Sequence, residues 1–265
     1  MKKMEQIIAE TVSSDMAHLI PARFDVLGDI AVVQIPPDIG PYKRAIAEAI
    51  VENRRDINVV LNKITKLTGD SRTASFECLL GNRFTTDYRE YGYVYRIDLA
   101  NAFFNSRLSY ERQRIQSQVK TDEMVVVPFS GVGPFAIPAA KKATVVAVDS
   151  NHRACRLLKY NSRINSVEDN LSIVHSDACS IRSMFSQDFD RAIVPAPYGM
   201  DRFLKIISDC IKKGGMIHFY TFKKEHQIPE LIHTYHRSGL DVRFYRRCGN
   251  VAPGVSRWAL DLIKT

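Results

Sequence analysis

The chain has 265 residues, 45% hydrophobic and 25% charged, which suits one large soluble domain or a core with an appendage. No apolar run approaches the roughly 20 residues of a membrane span, no apolar signal region follows Met1-Lys2-Lys3-Met4-Glu5-Gln6, and five scattered cysteines without a Cys-x-x-Cys pair suggest neither a disulfide framework nor a zinc site. The expected compartment is a reducing cytoplasm, and a net charge of +8 with a pI near 9.2 is the kind of excess that accompanies a polyanionic partner.

In chain order, residues 1–19 read as an amphipathic helical start. Residues 24–35 read as two short strands around Gly28-Asp29, a turn signal, with Pro36-Pro37 stopping the second. A helix is predicted over 42–53, with Ala45, Ile46, Ala49 and Ile50 on one face. Short strands are predicted at 59–61, 73–80 and 94–99. Tyrosines alternate with arginines from Tyr88 to Arg96 and again in Tyr110-Glu111-Arg112. Rings beside guanidinium groups suit unpaired bases and phosphates together. Doubled cations recur at Arg54-Arg55, Lys141-Lys142, Lys212-Lys213, Lys223-Lys224 and Arg246-Arg247. This first part reads as α+β, without a nucleotide motif of its own. A polar, Arg- and Gln-rich helix is predicted over 107–119.

The run Val125-Val126-Val127-Pro128-Phe129-Ser130-Gly131-Val132-Gly133-Pro134-Phe135 follows. Its β-branched start reads as a buried strand, ended by a glycine-spaced turn where backbone can approach a ligand. Ala136-Ile137-Pro138-Ala139-Ala140 reads as a helix, and residues 144–149 as a second buried strand ending in Asp149. Strand, Gly-x-Gly turn, helix, strand and acid form a nucleoside-binding series, with the acid placed to accept from two ribose hydroxyls. The missing third glycine argues against a pyrophosphate on the helix start. That favours S-adenosylmethionine over NAD.

Helices are then predicted over 153–165, over 203–211 with Gly214-Gly215 closing it, and over 229–238. Strands are predicted at 171–174, 192–194, 216–222, 241–247 and 257–262. The alternation is that of a doubly wound α/β sheet. The expected division is a helical segment at 1–19, a smaller α+β RNA-contacting domain at 20–117 and a cofactor-binding domain at 118–265.

Ligands of such sheets bind beyond the carboxyl ends of the strands. Four ends carry informative residues: Phe129–Gly133, Asp149, Asp177 and Pro195–Tyr198. Asp177 suits an adenine amine, or equally the N-cap of the segment after it. The Pro195-Ala196-Pro197 turn holds carbonyls that suit a base edge, or simply stops a strand.

These residues carry a family likeness. Phe24–Val33, Val94–Asp98, Phe103–Arg112, Phe129–Phe135, Ala147–Asn151, Gly214–Thr221 and Val251–Pro253 occur in the order seen in the Trm5 family, which this chain resembles over roughly residues 20 to 263. The family consists of class I methyltransferases that use S-adenosylmethionine to methylate N1 of the guanine next to the anticodon of tRNA. The resemblance implies a mostly parallel, seven-stranded, Rossmann-like sheet and tRNA as partner; beside it, composition and cysteine usage lead to the expectation of a cytoplasmic monomer without a membrane or metal. It implies that Arg112, Phe129, Gly131, Gly133, Asp149, Ser150, Asp177, Ala178 and Pro195 lie at the cofactor. It places Glu111, in Arg107-Leu108-Ser109-Tyr110-Glu111-Arg112, at the family's general base, where a carboxylate would take the guanine N1 proton. Arg72 falls near the family's catalytic arginine, which would stabilise charge developing at guanine O6. Read from spacing alone, Glu111 is equally a helix acid paired with Arg107 or Arg114. The carbonyls of Pro195 and Pro197 join the catalytic set.

Two positions depart from the family. Val127 stands where an acid is usual, and Pro195 stands where an Asn begins Asn-Leu-Pro or Asn-Pro-Pro. Loss of such an amide costs about 1–3 kcal/mol of base discrimination, so aminocarboxypropyl transfer to a modified tRNA guanine and an RNA-binding relative with weakened catalysis stay open. The Gly-Val-Gly-Pro-Phe turn favours the methylating branch. The small N-terminal tRNA-recognition domain of longer members is expected to be absent.

Overall fold

A computed structural model describes residues 14–21, 23–65, 74–185 and 188–265. The expected helix over 1–19 lies mostly outside the described residues, and Arg72 lies wholly outside them. The chain divides into two units, Met1–Phe104 and Asn105–Thr265.

The first unit holds a four-stranded sheet of β1 (Asp25–Leu27), β2 (Ile30–Val33), β3 (Val59–Lys63) and β4 (Phe76–Leu80), in that order. Only the central pair, β2 and β3, is parallel. Helix α1 (Lys43–Asn53) buries Ile46, Ala47, Ala49 and Ile50 against Val33, Ile39 and Val60. Gly28, at φ 56°, turns β1 into β2, and a Cβ there would meet Thr86 Oγ1 at 2.2 Å. A hairpin of β5 (Thr85–Glu90) and β6 (Tyr93–Asp98) completes the unit. Tyr91 and Gly92, at φ 46° and 83°, make its two-residue turn with the twist that hairpins favour. The sequence reading finds β6 but not β5. Thr85-Thr86-Asp87-Tyr88-Arg89-Glu90 is polar, and it pairs through cross-strand partners such as Asp87 with Arg96. Part of the Tyr–Arg interleaving is packing: Tyr95 is fully buried, and Tyr88 lies 4.9 Å from Phe104.

Asp29 ties this unit together. It accepts from Asn58 Nδ2 at 2.8 Å and Thr86 Oγ1 at 2.8 Å, and it pairs with Arg83. Burial pushes its carboxyl up, but the bonds from Arg83, Asn58 and Thr86 outweigh that and hold it at about 2, below the ordinary 3.8. A carboxyl depressed by folding contributes stability above its unfolded pKa and loses it as pH falls through the folded value. Asp29→Asn therefore melts below the parent at neutral pH, and the gap in Tm closes between about pH 4 and pH 2. A gap that stays constant across that range in calorimetric scans would contradict the assignment.

The second unit is a seven-stranded sheet. Its strands are β7 (Met124–Pro128), β8 (Thr144–Asp149), β9 (Leu171–His175), β10 (Phe189–Val194), β11 (Ile211–Lys223), β12 (Leu240–Ala252) and β13 (Val255–Lys264). Their spatial order is β12-β13-β11-β10-β7-β8-β9. The five strands from β11 to β9 are parallel, while β13 runs antiparallel to both neighbours. The order reverses between β7 and β10, which opens a crevice at their carboxyl ends. Val125, Val126 and Val127 are fully buried, as a strand central to such a sheet requires. Val127, aligned with Ala147 of β8, is core at the position where the resemblance leads to the expectation of an acid.

Helix α2 (Ser109–Gln118) belongs to this unit, so the division falls before it and not after it as expected. Its few inward residues are Glu111, Arg112 and Ile115. Helices α3 (Ala136–Ala140), α4 (His152–Ile164), α5 (Ile181–Met184), α6 (Phe203–Ser208) and α7 (Ile228–Arg237) follow in turn. Helix α6 stops earlier than predicted, and Gly214-Gly215 lies inside β11 instead of closing a helix. Gly214 sits at φ 81°, and a Cβ on Gly215 would meet Ile211 Cγ2 at 2.5 Å, so the pair forms a bulge that only glycine fits. One face of the sheet, including Val126, Val194, Ile217, Phe219 and Leu260, packs on Phe203, Ile207, Ile228 and Tyr235.

Candidate active site

The loop after β7 is built by three residues at positive φ: Phe129 at 54°, Gly131 at 54° and Gly133 at 96°. Phe129 is the costly one, and its ring is held edge-on against Phe203 at 5.0 Å. Gly133 is required by packing, since a Cβ there would lie 2.3 Å from Leu158 Cδ1 and 2.9 Å from Ile137 Cδ1. Asn161, fully buried on α4, donates to the Val132 carbonyl at 2.9 Å and pins the loop from beneath. The sequence reading missed Asn161, whose signal is a polar side chain on the apolar face of a helix.

Asp149 closes the loop from β8. Its Oδ2 accepts from Gly131 N–H at 2.7 Å, and its Oδ1 from Asn151 N–H at 2.8 Å. Each oxygen keeps a further acceptor position for a ligand diol. Burial pushes this carboxyl up, and the two backbone N–H groups only partly oppose it. Ser150, next in chain, is exposed, and its carbonyl lies 3.0 Å from His175 Nε2.

Asp177 follows β9 and adopts its capping alternative, accepting from Cys179 N–H at 2.7 Å. That bond holds its exposed carboxyl below the ordinary range. Ala178 beside it is buried. After β10, Ala196 N–H donates back to the Val194 carbonyl at 2.8 Å, and the Pro197 carbonyl accepts from Met200 N–H at 3.1 Å. The Pro197 carbonyl is therefore already partly engaged. Pro195 is half-buried, and the exposed Tyr198 ring stands 5.3 Å from Phe222.

Helix α2 brings Glu111 and Arg112 inward, each about 3% exposed. Arg112 Nη1 donates to the Asn105 carbonyl at 2.9 Å, and its guanidinium stands 6.0 Å from the Phe135 ring. Phe135 in turn lies 5.5 Å from Tyr220 of β11. The glycine loop is thereby linked to Glu111, whose Oε2 accepts from Arg114 Nε at 3.0 Å and from the Tyr220 hydroxyl at 3.2 Å. Of the two partners open from spacing, the structure selects Arg114, but on a buried face. Glu111 Oε1 makes no hydrogen bond and faces Arg246 Nε at 3.4 Å. The Arg246 guanidinium lies over the Tyr110 ring at 4.6 Å.

Behind Glu111 lies a largely buried polar set, Arg114, Asp261, His218, Arg191 and Glu123, of which the sequence reading named only Arg114. Its links span from 27 positions, Arg191 to His218, to 147 positions, Arg114 to Asp261. The available signal is a His and an Asp inside otherwise apolar strands, Ile217-His218-Phe219 and Leu260-Asp261-Leu262. In the first unit, an open concavity of about 860 Å³ is lined by Arg54, Arg83, Arg89 and Arg96. Three of these arginines pair with Asp56, Asp29 and Asp87, so the surface is less basic than its arginine content suggests. Among the described residues, no His, Cys, Asp and Glu cluster is arranged to hold a metal ion, and no helix is long and apolar enough to cross a membrane.

Residues 86–239 match the TRM5/TYW2 methyltransferase domain, and residues 4–85 match the TYW2 N-terminal domain. The segment ahead of the methyltransferase domain therefore has a family likeness of its own. The tRNA (guanine(37)-N(1))-methyltransferase Trm5b of Pyrococcus abyssi is 35% identical over 216 residues, covering 81% of this chain and 64% of the relative. The chain thus spans less than two thirds of that relative's length. The tRNA(Phe) (4-demethylwyosine(37)-C(7)) aminocarboxypropyltransferase of Pyrococcus horikoshii is 28% identical, covering 98% of this chain and 95% of the relative. The aTrm5 chain in its complex with tRNALeu superposes with a TM-score of 0.89 at 28% identity, over 100% of this chain and 79% of its own.

Proposed function

The chain belongs to the TRM5/TYW2 methyltransferase family, and from that membership we propose that it is an S-adenosylmethionine-dependent tRNA methyltransferase acting at N1 of the guanine next to the anticodon. The observation that carries the cofactor is the Asp149 carboxylate, clamped by Gly131 and Asn151 N–H groups at 2.7 and 2.8 Å with acceptor positions left for a ribose diol. Phe129, Gly131 and Gly133 shape the loop in front of it, and the residues fit a nucleoside that brings no phosphate. Bound there, the cofactor supplies a methyl group made electrophilic by its sulfonium.

The chain's own part is orientation and proton removal. Glu111 is the proposed acceptor for the guanine N1 proton. Tyr220 and Arg114 occupy its Oε2, so the proposed receiving oxygen is Oε1, which is buried and faces Arg246 Nε at 3.4 Å and is reached once Arg246 moves aside. The Pro195 and Pro197 carbonyls are proposed to face the base edge, and Arg72 to stabilise charge at O6. Ser150 and Asp177 are proposed to border the cofactor, and Arg112 with Ala178 to shape its walls. The excess of cations supports tRNA as the partner.

A second reading is aminocarboxypropyl transfer from the same cofactor. It is favoured by the TYW2-type N-terminal domain and by the end-to-end match to the Pyrococcus horikoshii relative. Product analysis separates the two. The purified chain is incubated with S-adenosylmethionine and an unmodified transcript carrying guanosine beside the anticodon, and the digested nucleosides are weighed by mass spectrometry. The expected product is guanosine heavier by one methyl group. An inert guanosine transcript, with transfer of the larger group to tRNA bearing the tricyclic precursor, would replace the first reading with the second.

A further inference from the structure

The buried polar set behind Glu111 has a definite order. Asp261 lies on β13 opposite His218 of β11 and is 4% exposed. Its Oδ2 accepts from Arg114 Nη1 at 2.6 Å and from Gln118 Nε2 at 3.4 Å. Its Oδ1 accepts from Arg114 Nη2 at 3.1 Å and from His218 Nδ1 at 2.7 Å. The carboxylate's acceptor capacity is thereby used. His218 is fully buried and accepts at Nε2 from Arg191 Nη1 at 2.7 Å, so its proton sits on Nδ1, facing Asp261. Burial pushes the imidazole down and keeps it neutral. Arg191 is itself held by Glu123 at 2.8 and 2.9 Å. Charge therefore alternates in sign from Glu123 through Arg191, Asp261 and Arg114 to Glu111.

A guanidinium is a rigid planar fork. With both Nη groups of Arg114 on Asp261, its plane is set, and the remaining Nε points at Glu111 Oε2 at 3.0 Å. We propose that Asp261 is a positioning residue for the transfer: it orients Arg114, and through Arg114 fixes the Glu111 carboxylate so that Oε1, buried beside Arg246 in this structure, is the oxygen that meets the guanine when Arg246 moves aside. In that step the N1–H bond breaks, its electron pair stays on nitrogen, and the proton joins Oε1. The inference rests on the base role of Glu111. Stability alone does not call for the arrangement, because apolar side chains commonly replace buried ion pairs at no cost. The immediate strand neighbours of His218 and Asp261, namely Ile217, Phe219, Leu260 and Leu262, are apolar and buried.

The test is a double-mutant cycle read in single-turnover methyl transfer, with tRNA and cofactor saturating, on the full chain. Asp261→Asn is expected to slow transfer about tenfold or more, while separately measured tRNA and cofactor Kd values stay within about threefold of the parent. Because Asp261 acts through Glu111, adding Asp261→Asn to Glu111→Gln is expected to slow transfer no further. A parent rate for Asp261→Asn with a slow Glu111→Gln overturns the positioning role and leaves the base role standing. Losses that multiply in the double variant do the same. A parent rate for Glu111→Gln overturns both. If Asp261→Asn does not fold, Arg114→Lys is read in the same cycle. It keeps a charge between the two carboxylates but cannot bridge both, and a parent rate for it overturns the proposal.

Discussion

Glu111→Gln slows methyl transfer about 10²-fold or more in single-turnover kinetics on an unmodified transcript, while tRNA affinity stays near the parent value. That fold-change corresponds to about 2.7 kcal/mol of transition-state stabilisation. The substitution keeps size, and its carbonyl still accepts from Arg114 Nε and the Tyr220 hydroxyl, so what it removes is basicity. Arg114 keeps its two bonds to Asp261 in the variant, which limits disturbance of the fold. Were Glu111 only a brace for α2, the variant would melt earlier and transfer methyl at the parent rate. Rate and melting temperature measured on one preparation decide between the two.

Asp149→Ala weakens binding of S-adenosylmethionine or S-adenosylhomocysteine tenfold or more, about 1.4 kcal/mol, in calorimetry. Two losses combine. The ligand loses its acceptor, and Gly131 N–H loses the partner that holds the loop at positive φ. Asp149→Asn keeps one oxygen and is expected to fall between parent and Ala. Burial raises the Asp149 carboxyl above the ordinary aspartate value of 3.8. Acidification therefore protonates it at a higher pH than an ordinary aspartate, and cofactor affinity falls as pH drops into that range. Parent affinity in Asp149→Ala would remove the acid from the site.

The second unit was legible where a local period or a steric demand announces it. The valine run, the Gly-x-Gly turn and Asp149 sit within one short stretch, and each enforces its own geometry on the backbone. Strand β5 was not legible, because its residues are satisfied across the hairpin instead of by burial. The Gly214-Gly215 pair misled for a related reason. Glycine marks a break in regular backbone, but not whether a helix ends there or a strand bulges. Glu111 and Arg114 were legible as a helical pair, whereas Asp261 reaches Arg114 across 147 positions of chain and no local pattern encodes that. Asp177 was readable in two ways, and the capping bond belongs to its own turn.

The bulge in β11 also acts as a phase-setter for the sheet. Along β10, the step from Phe189 to Arg191 advances two residues, while the matching step on β11, from Ile211 to Met216, advances five. The surplus is odd, and side chains alternate between faces with a period of two. The extra loop of chain therefore decides that Ile217, Phe219 and Thr221 look one way while His218 and Tyr220 look the other. Removing a single residue at Gly214 would transpose the two sets. His218 and Tyr220 would then meet Phe203, Ile207 and Tyr235, Phe219 would stand where His218 now faces Asp261, and Thr221 would stand where Glu111 now finds the Tyr220 hydroxyl. Two glycines with no polar atom beyond their backbone thus hold the chemistry and the core on opposite faces of one strand.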